Sequence, residues 1–197
     1  MHHSEIINQY IKKYKLQSYL EIGTRHKYDN FNKIKCREKF CIDPDSKAEA
    51  DFELTSDEFF KINHKKFDCI FVDGLHEGHQ VYKDIKNGIK FLNEGGVILC
   101  HDVNPKTFNN GYDFEDYNGS GEWNGDSWKG FVKYRFETPY YTCTIKSKEA
   151  DVGIIDTNLN TDVEKCNIKI GELTYEILDE HRQHFLNIIN NICEQTK

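Results

Sequence analysis

The chain has no run of basic residues, no apolar stretch approaching bilayer-spanning length and no Cys-x-x-Cys spacing. Each absence closes off a class of function. Lys and Arg total 26 against 33 Asp and Glu, a formal net charge of −7; affinity for a polyanion comes largely from neutralised phosphates, so no nucleic-acid partner is expected. The opening MHHSEIINQY has no apolar signal core, and the expectation is a soluble, cytoplasmic protein with no membrane partner. The seven cysteines are odd in number, and Cys41, Cys69 and Cys100 lie inside apolar runs, where a thiol behaves as a small core residue. Reduced thiols in an intracellular protein are the reading, and the sequon Asn118-Gly119-Ser120 then carries no chemical meaning. Internal repeats and linkers are also missing, so residues 1–197 are expected to form one domain. No oligomeric state is implied.

What is present centres on residues 67–105. Cys69-Ile70-Phe71-Val72 stops at Asp73-Gly74, and Val97-Ile98-Leu99-Cys100 stops at His101-Asp102. Short apolar runs with β-branched content, cut off by polar residues and glycine, read as buried strands. Between them Val81, Ile85, Ile89 and Leu92 recur at helical spacing. Strand, helix, strand is a crossover unit that joins parallel strands, so both deliver their last residues to one edge of the sheet. Asp73, His76, His101 and Asp102 are expected to meet there. Two carboxylates and two imidazoles at buried strand ends cost desolvation energy unless they pair, bind a cation or do chemistry.

On either side the chain fills out an α/β pattern. An apolar stripe of Ile6, Ile7, Tyr10, Ile11 and Tyr14 behind Ser4 predicts a helix over 4–15, with Ser4 as its N-cap and no visible chemistry. Residues 19–23 and 40–44 read as strands ending in Glu21-Ile22-Gly23 and Asp43-Pro44, residues 52–55 as a short third strand, and Ser56 as the cap of a following helix. From Thr107 to Gly125 the chain is rich in asparagine and glycine and lacks aliphatic residues; a loop of nearly 20 residues is usually a lid or a binding loop. Trp128, Phe131, Val132 and Arg135 share a helical face, residues 140–145 and 152–155 read as late strands, and a closing helix is expected over 173–194. The predicted fold is α/β, a Rossmann-like, doubly wound and mainly parallel sheet with a late antiparallel segment. Its core covers 17–155.

Strands ending in Glu21, Asp43 and Asp73 place three acids on one sheet edge. Asp43 lies 20 residues beyond Gly23, the spacing at which α/β nucleotide binders hold ribose hydroxyls. Thr24 to Asn30 contains no glycine, which argues against a pyrophosphate-bearing cofactor. In this order, Tyr19-Leu20-Glu21-Ile22-Gly23, Cys41-Ile42-Asp43-Pro44, residues 67–74 with His76, and Asn93 to Leu99 followed by His101-Asp102 resemble the motifs of class I S-adenosylmethionine-dependent methyltransferases. The small-molecule O-methyltransferase branch is the most similar. The resemblance covers about residues 17–135. It implies that Glu21, Gly23, Thr24 and Arg25 hold the methionine part of S-adenosylmethionine, that Asp43 holds the ribose, that Thr55, Ser56 and Asp57 lie near the adenine, and that Asp73 borders the cofactor. It also implies a divalent cation, Mg²⁺ or Mn²⁺, at Asp73, His101 and Asp102.

Methyl transfer to a hydroxyl needs a base to take its proton. His76, three residues past Asp73, is the candidate base, with the plain alternative that it caps the next helix; without a metal, His101 serves as base and Asp102 orients it. Asn104, Trp123, Asn124, Asp126 and Lys129 follow the His101 strand and flank the long loop. Aromatic faces with amide and carboxylate groups suit a sugar or sugar nucleotide, although Trp128 and Asp126 also read as core and helix cap. The expected activity is O-methylation of a small polar acceptor, with carbohydrate preferred. The alternatives are a metal-dependent hydrolase built on Asp73, His76, His101 and Asp102, and a non-catalytic relative that binds a partner.

Overall fold

A computed structural model describes residues 1–111 and 123–196; the sequon at Asn118 falls outside them. Seven strands form one sheet, β1 (Ser18–Ile22), β2 (Glu38–Ile42), β3 (Phe67–Val72), β4 (Leu92–Cys100), β5 (Tyr140–Ile145), β6 (Val152–Asn160) and β7 (Ile188–Ile189), in the order β2-β1-β3-β4-β6-β5-β7. β2, β1, β3 and β4 run parallel, whereas β6 pairs antiparallel with both β4 and β5. Among the described residues the α-helices are α1 (His3–Tyr14), α2 (Ser56–Ile62), α3 (Gly78–Lys90), α4 (Ser127–Arg135) and α5 (Tyr175–Leu186). None of the described helices is long and apolar enough to cross a membrane.

Both faces of the sheet are covered, which is why its central strands read as continuous apolar runs. Ile6, Ile7, Tyr10 and Ile11 of α1 pack with Tyr19, Phe71, Val97 and Leu99 on one face. Alternate residues Leu20, Ile70, Val72 and Ile98 pack on the other with Ile85 of α3 and Trp128 and Phe131 of α4. The period-2 alternation of the strands makes this division.

Register sets up the site. Ile22 pairs with both Ile42 and Val72, and Val72 with Cys100, so the residues that follow, Gly23, Asp43, Asp73 and His101, stand in one row at the carboxyl edge. β1 sits between β2 and β3 at the point where the chain order reverses, the position at which open α/β sheets form a crevice.

Several local expectations are corrected. His2, not Ser4, caps α1: its Nδ1 accepts the Ser4 N–H at 3.1 Å, and Glu5 completes a capping box. Thr55, not Ser56, caps α2, again in a box with Glu58. Residues 52–55 make no strand, only a single bridge between Phe52 and Ile42. The closing helix ends at Leu186 because Asn187 takes a left-handed conformation (φ 47°), which asparagine tolerates; Ile188 and Ile189 then join the sheet beside β5.

Candidate functional site

A cavity of about 900 Å³ lies over the carboxyl edge of β1, β2 and β3. Gly23 closes its floor with a φ of +82°; a Cβ there would stand 2.1 Å from the Asp73 carbonyl oxygen. Only glycine lets the ends of β1 and β3 approach this closely. The following turn has no glycine, yet it keeps a tight path because Arg25 itself adopts φ 49°. The Arg25 N–H donates to Oδ2 of Asp43 at 2.8 Å, and the Asp45 N–H to Oδ1 at 2.8 Å, so the Asp43 carboxylate is fixed from both sides.

Glu21 is buried beneath this turn. Its Oε2 accepts from the Tyr19 hydroxyl at 2.6 Å and from the Asn30 amide, while Oε1 has no hydrogen-bond partner. Burial pushes its pKa up to about 7 against the pull of those two donors. The Asn30 Oδ1 is likewise buried and unpaired. At the far end of the cavity lie Leu54, Thr55, Ser56 and Asp57, with Gln80 and Asp84 of α3 behind them. The Gln80 amide donates to Ser56 Oγ at 3.2 Å and to Asp84 Oδ1 at 2.9 Å. Burial raises the Asp84 carboxyl to about 6, although hydrogen bonds from Ser56 and Gln80 oppose it.

The expected cluster forms. Nδ1 of His101 lies 3.1 Å from Oδ1 of Asp73 and 3.0 Å from Oδ2 of Asp102, and its Nε2 is buried without a partner. Nε2 of His76 lies 3.4 Å from Asp73, and its Nδ1 3.4 Å from Asp102. Burial alone would raise Asp73 and lower both imidazoles. The close opposite charges outweigh it, so Asp73 is held well below its usual range and His76 and His101 above theirs. Glu77, not His76, occupies the N-cap position of α3, and no side-chain cap bond forms there. The His76 ring stacks on Trp123 at 5.5 Å and 25°.

Thus Glu21, Gly23, Thr24, Arg25, Asp43, Thr55, Ser56, Asp57, Asp73, His76, His101, Asp102 and Trp123 line one cavity. Four of the residues assigned to the acceptor do not line it. Asn104 is buried in a network with Asp151 (2.7 Å) and Arg182 (2.6 Å). Asp126 accepts the first N–H of α3, from Gly78, and pairs with Lys129 at 3.2 Å. Asn124 donates its amide to Asp102 from behind.

Sequence reasoning missed Asn30, Asp84 and the start of α1. The first helix is not without chemistry, because His2 and His3 reach the cavity wall. The His3 ring packs edge-on against His101 with centroids 4.6 Å apart, and burial, helped by His101, holds its pKa down to about 3. The signal was present as two imidazoles ahead of an apolar stripe, but their distance from the strand ends is a tertiary fact.

For the cation, Nδ1 of His101 stands between the two carboxylates, and His101 is not part of the set of ligand atoms that converges there. Asp73, His76 and Asp102 offer ligand atoms within 4.8 Å of one another.

Residues 37–103 match a family model described as a methyltransferase domain. No curated protein sequence matches the chain. Among solved structures, a protein assigned as a caffeoyl-CoA O-methyltransferase from Staphylococcus aureus is similar at 16% identity and a TM-score of 0.55, over 78% of this chain and 82% of that one. The O-methyltransferase TomG from Streptomyces achromogenes, solved with S-adenosylmethionine, aligns at 13% identity and a TM-score of 0.53 over 79% of each chain. The S-adenosylhomocysteine-bound methyltransferase PaMTH1 from Podospora anserina aligns at 16% identity and a TM-score of 0.52, over 81% and 78%. The chain therefore has the fold of class I S-adenosylmethionine-dependent methyltransferases, and the segment that matches the methyltransferase-domain model ends just past His101-Asp102.

Proposed function

We propose that the cavity binds S-adenosylmethionine and that the protein methylates an oxygen of a small polar acceptor. The observation that carries this reading is the pair of buried, unpaired acceptors at one end of the cavity, Glu21 Oε1 and Asn30 Oδ1. Unpaired buried acceptors are costly, and the ammonium of a methionine moiety supplies the donors they lack. Asp43, fixed by two backbone N–H groups, keeps lone pairs for the ribose hydroxyls, and the segment 54–57 with Asp84 takes the adenine end.

The cofactor supplies a methyl group on a sulfonium, open to in-line displacement. His76 takes the acceptor's proton in its neutral form, and the imidazolium that results is stabilised by Asp73 and Asp102, one near each ring nitrogen. His101 holds those two carboxylates together and so fixes the base. A sugar or sugar nucleotide is the preferred acceptor, because Trp123, stacked on His76, offers an aromatic face beside the base. A second reading adds Mg²⁺ or Mn²⁺ at Asp73, His76 and Asp102, favoured by their convergence within 4.8 Å; such an ion would hold the acceptor's oxygens.

Calorimetric titration with S-adenosylmethionine and S-adenosylhomocysteine tests the proposal. Saturable micromolar binding that is lost in Asp43→Ala supports it. Absence of binding, or full affinity in Asp43→Ala, overturns the cofactor placement. Activity abolished by chelator and restored by Mn²⁺ would favour the second reading.

A further inference from the structure

We propose that His2, His3 and Glu149 form a site for a divalent transition-metal ion on the wall of the cavity, separate from the Asp73 cluster. Each offers one ligand atom, and the three lie within 4.8 Å of one another. Nε2 of His2 and Nδ1 of His3 each stand 3.4 Å from the same oxygen, Oε2 of Glu149. Ligand atoms bound tetrahedrally at about 2.0–2.1 Å from a Zn²⁺ ion lie roughly 3.4 Å apart, so these distances are those of two edges of a coordination tetrahedron.

His3 supplies an independent reason. It is 6% exposed, and neither of its ring nitrogens has a hydrogen-bond partner. A buried imidazole with both nitrogens unsatisfied carries a desolvation cost that coordination would offset. Its ring is held in place, stacked on Phe71 at 5.7 Å and edge-on to His101. The neighbouring ring is oriented as well: Nδ1 of His2 is engaged with Ser4 as the cap of α1, which turns Nε2 towards Glu149. Metal-bound histidines are typically fixed in this way through their second nitrogen.

Two imidazoles and one carboxylate favour Zn²⁺, Co²⁺ or Ni²⁺ over Mg²⁺, which takes oxygen ligands. Three protein ligands leave a fourth position for water or a bound molecule. Lys33 stands as the local competitor, its Nζ 3.5 Å from Nε2 of His2; it is exposed and must swing away when the ion binds.

The test uses the untagged chain of residues 1–197, since a histidine tag would bind the same ions. Zn²⁺ is titrated calorimetrically into wild type, Glu149→Gln and Asp73→Asn, and Co²⁺ spectra are recorded for each. The expected result is one equivalent of Zn²⁺ bound by wild type and by Asp73→Asn with tetrahedral Co²⁺ bands, and affinity at least tenfold weaker in Glu149→Gln. Glu149 is exposed, so that variant leaves the fold intact. No stoichiometric binding by wild type, or binding lost in Asp73→Asn and kept in Glu149→Gln, overturns the proposal. Zn²⁺ binding does not depend on the methyltransferase reading, and the two fail separately.

Discussion

The backbone N–H of Arg25 donates to the carboxylate of Asp43 at 2.8 Å, tying the turn after β1 to the end of β2. The bond forms because Arg25 takes a left-handed φ of 49°, a conformation usually left to glycine. A turn that lacks glycine in sequence therefore keeps the geometry that glycine would give.

Arg25→Gly tests that statement. Relief of the left-handed conformation is worth about 1–2 kcal/mol, against about 0.5–1 kcal/mol of added unfolded-chain entropy. The expected result is a small gain in stability, under about 1 kcal/mol, in urea unfolding. The ion pair with Asp29 adds little to the balance, since the Arg25 side chain is 79% exposed. Arg25→Val should lose stability, because a β-branched residue tolerates positive φ poorly.

Glu21→Gln separates folding from binding through pH. With the folded-state pKa near 7 and an ordinary value of 4.5, Glu21 holds a proton in the native state over that window that the unfolded chain releases. Stability thus falls as pH rises from about 4.5 to 7 and levels off above it. The glutamine variant lacks this fall. It should be more stable than wild type at pH 8 by on the order of 2–3 kcal/mol, and nearly equal at pH 4. Chemical denaturation at the two pH values reads the difference, and weaker binding of S-adenosylmethionine by the variant accompanies it.

His76→Ala is expected to keep cofactor affinity within about threefold and to lower turnover by roughly 10²–10⁴. Loss of binding and turnover together would show that His76 shapes the cavity rather than moving a proton. Trp123→Ala should instead raise the acceptor KM, because it removes the face beside the base.

How much of this was legible follows from which forces are local. Asp43, Asp73 and His101-Asp102 were readable because each ends an apolar run, and parallel register brings such ends into one row. Asn104 and Asp126, read as acceptor contacts, are held by other partners outside the cavity lining, since a polar residue after a strand looks the same whether it faces solvent or a buried partner. Their partners, Asp151 with Arg182 and the N–H of Gly78, lie 47 or more residues away in sequence. The reach of His3 to His101 has the same character. The end of α5 at Asn187 was hidden by an apolar stripe that continues through Ile189 and Ile192, residues that serve the sheet edge and the terminal turn instead.

Two glycines at the site predict opposite outcomes. A Cβ on Gly23 would stand 2.1 Å from the Asp73 carbonyl oxygen and 2.4 Å from the Gly74 Cα, both backbone, at a φ of +82°. Nothing there can yield without parting β1 from β3, so Gly23→Ala should cost upwards of about 3 kcal/mol or prevent folding. A Cβ on Gly74 would meet the Ile22 Cγ2 at 3.4 Å, with the Ile22 carbonyl oxygen at 3.9 Å and the Gly23 nitrogen at 4.0 Å, all ordinary contacts. Gly74→Ala should therefore fold with a change of less than about 1 kcal/mol, and in the stabilising direction if reduced unfolded-chain entropy dominates. Paired thermal and urea unfolding of the two variants decides the matter: equal losses would mean that close approach of β1 and β3 is not what Gly23 provides.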